Sequence, residues 1–148
     1  MARVFCVGAL SLSLVSCGDL VGPTVDFIAN KAKWDREGPA AYTYVFQRLC
    51  FCGGEAIQQV RITVSGGQVT AVVRVADGQA VPPEQVNQFF RVTIDSLFGL
   101  VGDAIEGDAH DLDVTYDSRW GYPTAVYIDY DANTADEEQG FTAALQAP

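Results

Sequence analysis

The strongest constraint on the fold is a pair of alternating segments set around two glycines. Val60, Ile62 and Val64 alternate with Arg61 and Thr63, Gly66 and Gly67 follow, and residues 68–75 are again strand-like. Period-two alternation sends one side chain to the core and the next to solvent. Two such strands around a Gly-Gly pair make a hairpin. The pattern returns later: Leu112, Val114 and Tyr116 alternate with Asp113, Thr115 and Asp117. After a turn at residues 118–123, Val126, Ile128 and Tyr130 alternate with Ala125, Tyr127 and Asp129. Residues 42–50, rich in aromatic and β-branched side chains, read as one more strand.

Helical spacing occupies the rest. Residues 25–37 place Phe27, Ile28, Lys31 and Trp34 on one face, with Trp34 docked on the core, and Gly38-Pro39 stops the helix. Pro82, Pro83 and Glu84 open the best helical pattern in the chain. Val86, Phe89, Phe90, Thr93, Ile94, Leu97, Phe98 and Val101 recur at i, i+3, i+4 spacing, a core stripe rather than a ligand site. Thr134 with Glu137 has the form of a capping box, and Phe141, Ala144 and Leu145 follow on one helical face. This predicts a short C-terminal helix that Gly140 weakens by about 1 kcal/mol. The expected order is helix, three strands, helix, two strands, helix. Hairpins fit an α+β fold with an antiparallel sheet of about five strands and helices packed on one face. Residues 64–72 and 116–126 are faintly alike, which hints at a duplicated helix-plus-hairpin unit.

The N-terminus reads as an export signal. Arg3 opens the stretch, and residues 4–15 are uncharged and mostly apolar. That run is too short to cross a bilayer comfortably, and no later stretch reaches about 18 apolar residues. Its ending, Leu14, Val15, Ser16 and Cys17, looks like the bacterial lipobox. The resemblance implies cleavage before Cys17 and lipidation of its thiol, and several acyl chains anchor a protein stably where one does not. The domain expectation is a signal peptide over residues 1–16, a lipidated Cys17 with a short tether over 17–24, and a single domain over 25–148. Gly18 after the cysteine resembles outer-membrane sorting in Gram-negative bacteria. So short a tether keeps the domain close to the membrane surface.

Charge narrows the partners. The formal net charge is −10, and so acidic a surface repels phosphate backbones, which argues against nucleic acid. From Asp95 to Glu138 twelve acids face a single base, Arg119. A cationic partner or a metal ion would be attracted there, while a solvated soluble surface is the simpler reading.

Candidate chemistry is sparse. Once residues 1–16 are removed and Cys17 is lipidated, Cys50 and Cys52 are the two cysteines left. In an oxidising compartment they are disulfide candidates. Buried free thiols and a redox or soft-metal site remain as alternatives. A complete zinc site is not visible, since the chain's only methionine is Met1 and its only histidine is His110. Asp129, Asp131 and Asn133 copy the first positions of a calcium loop, but Thr134 and Gly140 stand where it needs Gly and Glu. Capping of the final helix is the simpler role for those acids. His110 lies beside Asp108, Asp111 and Asp113, a pairing that suits acid–base work but is more simply an exposed loop histidine. Trp120, Tyr122 and Tyr127 form a possible aromatic binding surface. No nucleophile motif, phosphate loop or dinucleotide glycine pattern is present. The reading therefore assigns no catalytic residue, no metal and no cofactor.

Several pieces together resemble a family of uncharacterised bacterial lipoproteins classed as a domain of unknown function. They are Trp34, Tyr42 with Tyr44, Arg48 with Cys50 and Cys52, and Val60, Ile62 and Val64 with their glycine turn. Leu97-Phe98, Tyr116-Asp117, Gly121-Tyr122-Pro123 with Val126, Ile128 and Asp129, and the trailing Asp136, Glu137 and Glu138 complete them. The resemblance implies fold and location and carries no activity. The functional expectation is a membrane-anchored envelope lipoprotein, a non-enzymatic binding or accessory module for an envelope protein or peptide. The alternative is a redox or metal-handling protein using Cys50 and Cys52.

Overall fold

The computed structural model describes residues 22–146. The expected signal peptide, Cys17 and the expected tether up to Val21 lie outside the described residues, as do Ala147 and Pro148. The described chain is α+β, with one six-stranded antiparallel sheet and two full-length helices.

Helix α1 spans Pro23–Glu37. Pro23 suits a first turn, where its missing N–H costs nothing. Trp34 is buried in the core and Phe27 packs edge-on against Phe98, while Ile28, expected on the same face, is 60% exposed. Gly38 ends the helix because Trp34 folds back over it: a Cβ there would sit 2.6 Å from Trp34 O and 2.8 Å from the indole.

Strand β1 (Ala41–Cys50) follows, then β2 (Val60–Ser65) and β3 (Gln68–Arg74). Gly66 and Gly67 both have positive φ, 57° and 72°, the conformation that a tight two-residue hairpin needs.

The single long helix expected from Pro82 to Val101 is broken in two. A turn of helix α2 (Pro83–Gln85) runs into a π-turn (Val86–Phe90), and helix α3 (Ile94–Glu106) starts afresh. Thr93, placed on the apolar stripe by spacing alone, is the N-cap of α3 and shares a capping box with Ser96. Two tyrosines fix the break: Tyr44 Oη donates to Val92 O at 2.7 Å, and Tyr42 Oη accepts from Ile94 N at 3.0 Å.

After α3 come β4 (Asp111–Tyr116), β5 (Pro123–Asp129) and β6 (Gln139–Leu145). The predicted C-terminal helix is therefore a sixth strand. Phe141 and Ala143 are buried on alternate positions, with Thr142 and Ala144 exposed between them. Long-range pairing outweighs the local helical pattern, since β6 is inserted between β1 and β5. Gly140 fits because the chains come close there: a Cβ would meet Val126 O at 2.1 Å. Thr134 and Glu137 cap no helix. Glu137 instead accepts the N–H groups of Tyr130 and Asp131 and closes the β5–β6 loop.

The sheet order is β3-β2-β1-β6-β5-β4. Tyr44, Phe46, Val60, Ile62, Val64, Val72, Val126, Ile128, Phe141 and Ala143 form its buried side, packed with Trp34 and with Ile94, Leu97, Phe98 and Val101 of α3. The opposite side, with Val45, Gln47 and Leu49 from β1 and Tyr127 from β5, carries no helix among the described residues. The order 3-2-1 then 6-5-4 repeats a helix-plus-three-strand unit. In that repeat β4 corresponds to β1, so the two turns that look alike in sequence, β2–β3 and β4–β5, are not topological equivalents.

Candidate functional site

An 860 Å³ groove opens at the end of the sheet where β1 starts and β6 ends. Its floor comes from Tyr42 and Thr43 of β1, from Thr63 to Ser65 of β2 and from Leu145 with Gln146. Its wall is the β4–β5 turn, through Asp117, Arg119, Trp120 and Tyr122.

The turn is held from within and by helix α1. Asp117 Oδ1 accepts from Arg119 N at 2.9 Å and Trp120 N at 2.6 Å, an Asx-type turn. Gly121 sits at φ 80° against α1, where a Cβ would come 2.6 Å from Asn30 O. Lys33 Nζ donates to Ser118 O from the same helix. Trp120 is therefore held half-buried at the rim, with the Arg119 guanidinium 4.6 Å from its ring centroid.

Tyr122 is buried under the groove, its ring edge-on to Trp34 at 6.1 Å and its hydroxyl accepting from Leu145 N. Tyr42 packs edge-on to the other side of Trp34 at 5.4 Å. Burial pushes both phenols above the usual range against the opposing effect of their backbone hydrogen bonds, with Asp117 adding to the rise at Tyr122 and Asp95 at Tyr42. Both hydroxyls are committed to backbone N–H groups, so the tyrosines offer the groove ring surface rather than proton transfer. Thr43 and Thr63 add a hydroxyl pair 3.1 Å apart. The arrangement provides an aromatic wall, one guanidinium and neutral hydrogen-bonding groups.

Of the three aromatics singled out by sequence, Trp120 and Tyr122 meet at the groove and Tyr127 does not. Tyr127 lies near the far end of β5 on the helix-free side of the sheet, opposite Asp113 and Gly140 in register. Its phenol is raised by partial burial first, then by Asp129, Glu138, Asp111 and Glu137.

Cys50 and Cys52 are bonded to each other at the far end of β1, with Cα atoms 5.3 Å apart. The small ring holds Phe51 outward, 82% exposed. His110 and Asp131 share a shallow 510 Å³ hollow with Asp108 and Tyr130. The Asp131 carboxyl is held below the usual carboxylate range by the Asn133 N–H, then by the Asn133 side chain and Thr134 hydroxyl, with a smaller pull from His110. Asp129 Oδ1 accepts from Asp131 N, so both acids build the turn. Among the described residues no three His, Cys, Asp or Glu side chains converge as a metal would need.

Sequence spacing missed Tyr42, Thr43, Thr63 and Arg119 as groove residues. Arg119 carried a signal, as the one base in a long acidic stretch.

A family model described as a family of unknown function (DUF6174) matches residues 26–146, most of the chain. No curated protein and no solved structure matches it.

Proposed function

We propose a function on the premise that the chain belongs to the family of unknown function DUF6174: it is a lipid-anchored envelope module that binds an extended segment of a partner protein in the Trp120 groove. The observation that carries this reading is the 860 Å³ groove with its fixed aromatic wall. Half-buried tryptophan with an adjacent arginine is the composition that dominates protein-binding sites. The groove lies open along the sheet end, which suits a strand-like segment better than a small molecule needing near-complete enclosure. The lipobox at residues 14–17 supports the anchor and an exported, membrane-bound location, facing the periplasm on the outer membrane of a Gram-negative host.

Selection of displayed peptides on the immobilised protein tests the groove. Enriched peptides carry apolar or aromatic residues and lose about tenfold or more in affinity to Trp120→Ala, the scale of a hot-spot truncation. Peptides that bind the variant equally well overturn the reading.

Redox or metal handling by Cys50 and Cys52 is the second reading. The exposed position of Cys52 favours access by a reductant. With the two sulfurs bonded to each other, metal binding would require reduction first.

A further inference from the structure

We infer that the domain rests on the membrane through the tip closed by Cys50 and Cys52, with Phe51 seated among the lipid headgroups and the Trp120 groove turned away from the bilayer. This rests on the reading of Cys17 as a lipid anchor, and three observations carry it.

The first is where the exposed apolar surface lies. Single exposed hydrophobics are ordinary. Here, among the described residues, five of the six large ones, Leu49, Phe51, Val75, Tyr127 and Tyr130, gather at one end of the sheet. That end is where β1, β3 and β5 finish. The groove is at the other.

The second is the form of Phe51. It is 82% exposed at the apex of a disulfide-closed ring. The ring restrains the backbone beneath Phe51, so its burial in an interface costs little backbone ordering.

The third is where the tether leaves. Register across the sheet puts Cys50 level with Gln139, Gln139 with Ile128, and Ile128 with Leu112. The N-terminus of α1, at Gly22 and Pro23, lies along β4 between Leu112 and Tyr116, and the helix runs from there toward the groove, where Asn30, Lys33 and Trp34 pack on the β4–β5 turn. Three strand spacings, about 14 Å, therefore separate the Cys50 line from the tether's exit. From Cys17 to Gly22 the chain reaches at most about 17 Å. A lipid on Cys17 thus holds this end, and not the other, against the membrane. Helix α1, about 22 Å long, carries the groove to the far side.

Charge selects the kind of surface. Acids outnumber bases near this end: Asp108, Asp111, Asp129, Asp131, Glu137 and Glu138 lie on the β4–β5 side, while on the β2–β3 side Glu55 follows the ring and Arg74 is paired with Asp77 at 3.2 Å. Zwitterionic headgroups accept such a tip, where an anionic surface would repel it.

The test uses the full mature lipoprotein with Phe51→Trp, reconstituted into phosphatidylcholine vesicles with brominated acyl chains and compared with the unsubstituted protein. The expected result is co-flotation with the vesicles, a blue shift of the added tryptophan and loss of its emission to shallow bromines. In the unsubstituted protein, Trp34 and Trp120 keep their emission. Flotation without quenching leaves the anchor standing and overturns the tip contact. A blue shift without quenching means that a second copy covers Phe51, and likewise overturns it. Protein that does not float removes the anchor and the inference together.

Discussion

Gly140→Ala separates two readings of the C-terminal segment by the sign of its effect. If residues 139–145 were helical, replacing glycine by alanine would stabilise the protein by about 1 kcal/mol. In β6 the same methyl group points into the neighbouring strand. An ideal Cβ at residue 140 lies 2.1 Å from Val126 O, 3.1 Å from Val126 C and 3.4 Å from Tyr127 Cα. All three contacts are backbone, so no side-chain rotation relieves them, and β5 or β6 must shift by about an ångström. Both strands are interior to the sheet, where β6 also pairs with β1 from Tyr44 to Cys50. Overpacking of this kind costs about 3 kcal/mol. For a domain of this size that lowers Tm by roughly 10–15 °C. Urea unfolding followed by circular dichroism gives the free energy directly. An unchanged or raised stability would refute the strand register and the close approach on which it depends.

Alkaline pH is expected to unfold the domain through its buried phenols. Burial raises the pKa values of Tyr42, Tyr44, Tyr116 and Tyr122, that of Tyr116 to about 12 with Asp26 adding to the rise. Unfolded tyrosines ionise near pH ~10, so the folded state binds more protons above that pH. Stability is intact below pH ~10 and falls from there toward pH ~12; a Tm equal at pH ~9 and ~11 would contradict this. Replacing Cys50 and Cys52 together by serine should leave the fold intact and cost at most about 1.5 kcal/mol, because so small a ring removes little unfolded-chain entropy. A larger loss in urea unfolding would assign the ring a structural role that its size does not explain. Cys17→Ser should leave the precursor uncleaved or the protein loosely held, as fractionation and mass spectrometry would detect. Full membrane partition at the normal mature mass would remove the anchor.

What was legible in the sequence was the local chemistry. The Gly66-Gly67 hairpin, the end of α1 at Gly38 and the Asp117–Tyr122 turn are each determined by neighbouring residues. The failures share one cause, the dominance of distant partners over local pattern. Residues 139–145 satisfy both periods, since Phe141, Ala144 and Leu145 share a helical face while Phe141, Ala143 and Leu145 alternate. Small alanines do not distinguish the two, and pairing to β1, nearly a hundred residues earlier, decides. The break before α3 was hidden because Phe90, Ile94 and Leu97 are all buried despite it. Thr93 and Ser96 carried the capping signal there, and Tyr42 and Tyr44 supply the bonds that hold it. The groove was half visible for the same reason. Trp120 and Tyr122 announce themselves in an aromatic turn, whereas Thr43 and Thr63 join them only because the sheet sets β1 beside β6.

The most direct test of the groove as the binding site is site-specific photo-crosslinking in living cells. A benzophenone side chain placed at Ser65, on the groove floor, is compared with one at Thr142, exposed on the helix-free side of the sheet. The account predicts an ultraviolet-dependent adduct of one defined mass from position 65, absent from position 142 and lost when Trp120 is replaced by alanine. No adduct at position 65, or the same adducts from both positions and in the Trp120→Ala background, would contradict it.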